Sequence, residues 1–104
     1  MTGTDKAYRV CLTPEAEIDL EDIWIYTAKL WSVIQADNYI DGLVAKFNLL
    51  AAAPLIARER HEFSPPVRVH HYQSHVVIYR VSGGDLQVLR VAHMKQNWAR
   101  LLGE

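Results

Sequence analysis

Two windows of the chain carry apolar residues almost without a break: Val76, Val77, Ile78, Tyr79 and Val81, then Leu86, Val88, Leu89 and Val91. Short runs rich in β-branched and aromatic side chains, with no clean polar alternation, predict strands covered on both faces. Gly83-Gly84, between Ser82 and Asp85, supplies the positive φ that a two-residue type I′ or II′ turn requires, so Ser74 to His93 reads as a β-hairpin. With the glycines as the loop, Ser82 faces Asp85, Arg80 faces Gln87, Ile78 faces Leu89, Val76 faces Val91 and Ser74 faces His93. One face then holds Arg80, Gln87 and His93, and the other His75, Tyr79 and Arg90. A bulge at the glycines would shift this register by one residue.

Tyr8 to Leu12 alternates at a period of two and predicts a first strand. It stops at Thr13-Pro14, an N-cap followed by proline at the first helical position, which starts a helix. Ala16, Leu20, Ile23, Thr27 and Leu30 form its core stripe, while Ile18 and Ile25 fall off that stripe and suggest a second apolar surface for a partner. Glu15, Glu17, Asp19, Glu21 and Asp22 read as a solvated face near the positive end of the helix dipole. Ser32-Val33-Ile34-Gln35 has the capping-box form and opens a second helix, whose stripe runs Ala36, Tyr39, Ile40, Leu43, Phe47, Leu50 and Ala51 until Pro54. With almost no connector, the two helices must fold back as an antiparallel hairpin.

Leu55 to Pro66 loses the pattern and reads as a charged loop. Val67 to Gln73 is a further strand, with Arg68, His70 and Tyr72 on one side and Val67, Val69 and His71 on the other. Lys95 to Leu102 is an amphipathic tail that can pack Trp98, Leu101 and Leu102 back on the body. The predicted fold is α+β, in the order β-α-α-β-β-β, with a helix hairpin on a small, mainly antiparallel, twisted four-stranded sheet.

At 104 residues, half of them hydrophobic, the chain fits a single domain with one core, with residues 1–6 as a flexible N-terminus and 95–104 as a C-terminal tail. The longest apolar run, Leu49 to Ala57, is broken by Pro54 and falls short of the roughly 18 residues of a membrane span. The first residues lack the apolar stretch of a secretory signal, so a cytoplasmic location is expected. Cys11 is the sole cysteine and reads as a small strand hydrophobe.

The net charge of −1 argues against a generally cationic nucleic-acid binder, but it is unevenly spread. Residues 1–54 hold four Lys/Arg against eight Asp/Glu, a net −4, and residues 55–104 hold seven against four, a net +3. All five histidines also lie in the second part. An anionic partner should therefore meet that half. Arg80 and Arg90 read as structural partners of the acidic helices or of Glu59 and Glu62. His70 and His71 point to opposite faces of a strand and cannot share a metal; neither a metal nor a cofactor is expected. Glu62, Arg68 and His93 could supply a base, a phosphate clamp and an acid for RNA cleavage, although nothing in the sequence brings them within reach of one another.

Particular residues along this order resemble the ParE branch of the RelE/ParE toxin superfamily. They are Leu12-Thr13-Pro14-Glu15-Ala16, Asp19-Leu20 with Ile23 and Tyr26, Trp31 with Gln35-Ala36, Pro54 with Arg58, Arg68, then His75-Val76-Val77-Ile78-Tyr79-Arg80 and Arg90-Val91-Ala92-His93. The resemblance runs from about Tyr8 to Trp98. It implies the toxin of a type II toxin-antitoxin system, a plasmid-stabilisation type of module, neutralised in a hetero-oligomer by a small ParD-like antitoxin. It also implies growth arrest through DNA gyrase without catalysis, no membrane, and no sequence-specific DNA binding by the toxin alone.

The RelE branch, on the same fold, cleaves ribosome-bound mRNA and is the alternative, with Glu62, Arg68 and His93 as its candidate catalytic residues. For the ParE reading the expected antitoxin contacts are Ile18, Ile25, Arg68 and Arg80. The expected target contacts are Arg90, His93, Lys95, Trp98 and Arg100. Val76 stands where ribonuclease relatives would want an arginine. Asn97 replaces a frequent aspartate and Ala92 a common leucine, and either departure bears on target choice.

Overall fold

A computed structural model describes residues 7–103. The expectation for residues 1–6 lies outside them. The elements run β1 (Arg9–Leu12), α1 (Pro14–Leu30), α2 (Val33–Ala52), β2 (Glu59–Arg60), β3 (Val67–Tyr72), β4 (His75–Ser82) and β5 (Asp85–His93), with short 3-10 turns at Pro54–Ile56 and Trp98–Leu102. The sheet order is β1-β5-β4-β3-β2. β1 lies parallel to β5 and every other neighbouring pair is antiparallel.

The helix starts follow the side chains that flank them. Thr13 Oγ1 accepts the Ala16 amide at 3.0 Å and Ser32 Oγ accepts the Gln35 amide at 3.0 Å, so each helix begins with one orphan donor satisfied. Ala16 and Ile23 of α1 and Leu43, Phe47 and Leu50 of α2 pack on Val77, Tyr79, Leu86, Val88 and Val91 of the sheet. The other face of the sheet has its own core, where Val76, Ile78 and Ala92 meet Phe63 and Val67, with Trp98, Leu101 and Leu102 of the tail packed against them. The unbroken apolar runs of β4 and β5 are thus explained by helices on one side and the tail on the other.

Three expectations change. The sheet has five strands, because Glu59–Arg60, within the stretch read as loop, pairs with Arg68 and Val67 as an edge strand. A two-residue strand is too short to show any periodicity. Leu30 is exposed, not part of the core stripe, because α1 runs past the sheet before it turns at Trp31.

The hairpin register holds at Ser82↔Asp85 and Arg80↔Gln87 and then slips. Tyr79 opposes Val88, but Ile78 opposes Arg90, which leaves Leu89 as the extra residue of a β-bulge. Val76 therefore faces Ala92, and His75 rather than Ser74 faces His93. The glycine turn is not the cause: Gly83 alone has positive φ, at 61°, the pattern of a II′ turn. The bulge sits where β1 ends, since Leu12↔Val88 is the last β1 pair and the Thr13 hydroxyl donates to the Leu89 carbonyl at 2.7 Å. A side chain at the start of α1 thus replaces the missing strand.

Candidate functional site

The bulge moves His93 to the same face as His75, the face covered by the helices. The two rings stand edge to face with centroids 5.4 Å apart. Tyr39 of α2 meets His75 in the same way at 5.4 Å, and its hydroxyl lies 2.7 Å from His75 Nδ1. Burial, and then the neighbouring His93, push the His75 pKa down, while burial pushes the Tyr39 hydroxyl up. Neutral forms are favoured on both. The Lys95 amide donates to His93 Nδ1 at 3.1 Å, so the turn after β5 fixes that ring too.

Asp19 and Arg90 complete this end of the molecule. The carboxylate accepts from Arg90 Nε at 2.8 Å, Arg90 Nη2 at 2.9 Å and the Val91 amide at 2.9 Å. The guanidinium is held even more firmly protonated by that hydrogen-bonded carboxylate. Asp19 was expected on a solvated face, but its side chain is only 12% exposed, because the free edge of β5 beyond β1 needs a hydrogen-bond acceptor. Arg90, expected to pair with an acidic helix, does so. A cleft of about 410 Å³ is lined here by Asp19, Asp22, Tyr26, His75, Arg90 and His93, among others.

A second cleft, of about 370 Å³, lies between the start of β3 and the end of β4. Glu59, Pro65, Pro66, Arg68, Arg80 and Ser82 line it. Arg68 Nη1 donates to the Ala57 carbonyl at 2.6 Å and Arg80 Nε to Gln87 Oε1 at 3.3 Å. Beneath them, Tyr79 donates its hydroxyl to the Pro54 carbonyl at 2.6 Å, and burial raises its pKa.

The third cleft lies under the tail. Arg60 donates to Glu62 Oε2 at 2.9 Å and lies 5.4 Å over the Trp98 ring, which in turn packs 5.6 Å from Phe63. The Glu62 carboxyl is held below its usual range by a backbone hydrogen bond and by the Arg60 guanidinium.

Glu62, Arg68 and His93 therefore line three different cavities. Of the residues expected at the target surface, Arg90 and His93 share a cleft, Trp98 belongs to the third, and Lys95 and Arg100 are exposed nearby in sequence. Ile18 and Ile25 are exposed on α1, as their position off the stripe implies, and Arg68 and Arg80 both border the second cleft, from opposite faces of the sheet. Sequence reasoning missed the tip of the helix hairpin, where Tyr26, Leu30, Trp31, Val33 and Ile34 are all more than half exposed. The signal was present: four of these large apolar residues flank the Ser32 cap in one run. Among the described residues no three His, Cys, Asp or Glu side chains are arranged to hold a metal, and no helix is long and apolar enough to cross a membrane.

Residues 10–98 match the family described as ParE toxin of type II toxin-antitoxin system, parDE. Toxin ParE1 of Mycobacterium tuberculosis is 38% identical over 95 residues, which cover 90% of this chain and 97% of that protein. Toxin ParE1 of Caulobacter vibrioides is 36% identical over 98 residues, covering 94% and 99%. The solved structure described as "Chromosomal ParDE TA system from P. aeruginosa" shares the fold, with a TM-score of 0.74 at 21% identity over 86% of this chain and 98% of that one. A family match across nearly the whole domain, with relatives of that identity and coverage, makes this chain a member of the ParE toxin family of type II toxin-antitoxin systems.

Proposed function

We propose that this toxin arrests growth by docking on DNA gyrase and is neutralised by a ParD-like antitoxin, without breaking a covalent bond itself. The observation that carries the reading is the separation of Glu62, Arg68 and His93 into three cavities. RNA cleavage needs a base, an acid and a phosphate clamp around one scissile bond, within roughly 3 Å of the atoms they serve. Docking needs no such convergence. It needs exposed anchors, and Trp31, Ile34 and Tyr26 at the hairpin tip, together with Ile18 and Ile25, supply large apolar ones.

The antitoxin in this reading covers α1 and the Arg68/Arg80 cleft, and the target meets the end of β5 and the tail, from Arg90 to Arg100. The test is a supercoiling and cleavage-complex assay with purified gyrase, run beside mapping of mRNA ends on translating ribosomes. Inhibited supercoiling with intact mRNA is expected. Codon-positioned cuts that disappear in His93→Ala would replace the docking reading with that of a ribosome-dependent mRNA endonuclease. Growth arrest with no effect on either purified system would remove gyrase as the target.

A further inference from the structure

We propose that the outer edge of β1 pairs antiparallel with β1 of a second copy of this chain, about a two-fold axis at Cys11, so that two five-stranded sheets become one. β1 ends the sheet, with β5 as its neighbour on one side. The Arg9 amide donates to the Gly84 carbonyl at 2.9 Å and the Thr13 amide to the Val88 carbonyl at 3.1 Å. Alternate residues of a strand turn their backbone groups the same way, so Arg9, Cys11 and Thr13 face β5 while Tyr8, Val10 and Leu12 face outward. The Tyr8 amide finds the Ala51 carbonyl of α2 at 2.9 Å. Among the described residues, the amides and carbonyls of Val10 and Leu12 bond to no other backbone group.

The two edges of the sheet are defended differently. At the far edge, β2 is two residues long, both are charged, and Pro65-Pro66 follow in the chain before β3. Short length, charge and proline are the devices that keep an edge strand from pairing with another chain. β1 has none of them along Val10, Cys11 and Leu12. Its one charge, on Arg9, is met by Asp85 of β5 at 3.1 Å.

The outward groups match those of their own copy. Val10 and Leu12 stand one residue either side of Cys11, so an antiparallel second β1 brings Val10 opposite the second copy's Leu12, and Leu12 opposite its Val10, and the four hydrogen bonds that close leave no outward group over. Cys11 falls on the axis at a non-hydrogen-bonded position, where Cα atoms approach to about 4.5 Å and a small side chain lets them do so. Arg9 stands across from Thr13, so no like charges meet. Val10 and Leu12 are half-buried at the rim of the helix-side core, and pairing carries that core across the junction. A foreign peptide added to a sheet edge is selected by side-chain pockets beside it, and none of the three clefts includes a β1 residue. Four residues span roughly 13 Å, a small contact, so the dimer is a weak one that fills at high micromolar concentration.

The experiment begins with the unmodified chain. Light scattering should show a monomer at low micromolar concentration and a dimer near millimolar. Over the same range amide exchange at Val10 and Leu12 should slow about tenfold, while Arg9 and Cys11, already bonded to β5, keep one rate. A short bis-maleimide should join two chains through Cys11, the sole cysteine, at the higher concentration. Val10→Pro removes an outward amide and keeps the bonds of β1 to β5, so it should stay folded and lose both the dimer and the cross-link. A chain still monomeric at millimolar concentration would overturn the proposal. So would a dimer with unchanged exchange at Val10 and Leu12, one without the Cys11 cross-link, or one that a folded Val10→Pro leaves intact. Exchange and cross-linking use the unmodified protein, so they decide the matter even if Val10→Pro does not fold.

Discussion

Removing the Asp19 carboxylate should open the seam between α1 and the free end of β5. Asp19→Ala deletes both bonds to Arg90 and also strips the Val91 amide of its acceptor, at an edge that β1 no longer covers. A hydrogen bond to a charged group contributes roughly 1.5–3 kcal/mol, and a fully buried broken ion pair costs about 3–5 kcal/mol. Here the side chains keep 12% and 22% of their exposure, so screening brings the expected loss to about 3 kcal/mol. For a domain of this size that corresponds to a fall in Tm of roughly 12 °C.

Arg90→Met, which leaves the Val91 bond intact, should cost only about 1 to 2 kcal/mol. The double variant should then show a coupling of roughly 1 kcal/mol, with the remainder of the Asp19 effect belonging to Val91. Urea unfolding of the four proteins measures this, and amide exchange at Val91 locates it. A loss below about 0.5 kcal/mol for Asp19→Ala, the level of an exposed pair, would refute the claim that this contact seals the sheet edge.

Stability should rise with pH as it passes from below 6.5 to that value, because His75 has a folded pKa lowered from 6.5 and the unfolded chain takes up the proton first. His70, lowered by burial and then by Lys46, acts in the same direction, so a His70→Gln/His75→Gln double variant should flatten the change in urea midpoint between about pH 5 and about pH 7; a midpoint that falls over that window would contradict the burial of His75. Gly42→Ala should destabilise by about 1 kcal/mol despite a gain of similar size in helix propensity, because the new methyl would overlap the Tyr72 hydroxyl and stand 2.7 Å from its ring carbon. Unchanged or improved thermal stability there would mean that Tyr72 moves aside freely. Trp98→Ala should cost about 2 kcal/mol and raise amide exchange at Ile78 and Ala92, since the tail covers that face of the sheet; exchange confined to the tail itself would show that it does not.

The helices were legible because their signals are local. Thr13-Pro14 and Ser32 with Gln35 mark both starts, and the hydrogen bonds they imply are present. The stripe of α2 is buried or half-buried at every position read from its spacing, since that face packs on α1 and on the sheet. α1 departs at Leu30 for a tertiary reason that no helical period contains. The same holds for the edge strand Glu59–Arg60, which exists only because Val67 and Arg68 offer it a ladder.

One residue decided how much of the site could be read. Leu89 carries no glycine or proline that would mark a bulge, yet it turns His93 from the face of Arg80 to that of His75. A period-two count must fail beyond it. The consequence is chemical as well as geometric: His93 ends beside the neutral, half-buried His75 and the Asp19–Arg90 pair, while Arg68 lies in a separate cleft and Glu62 in a third. The acidic first half and basic second half of the sequence survive as neighbours here, because Asp19 of α1 neutralises Arg90 of β5. Arg68 and Arg80, at the end of β4 away from the histidines, bond instead to neutral groups, the Ala57 carbonyl and the Gln87 side-chain amide.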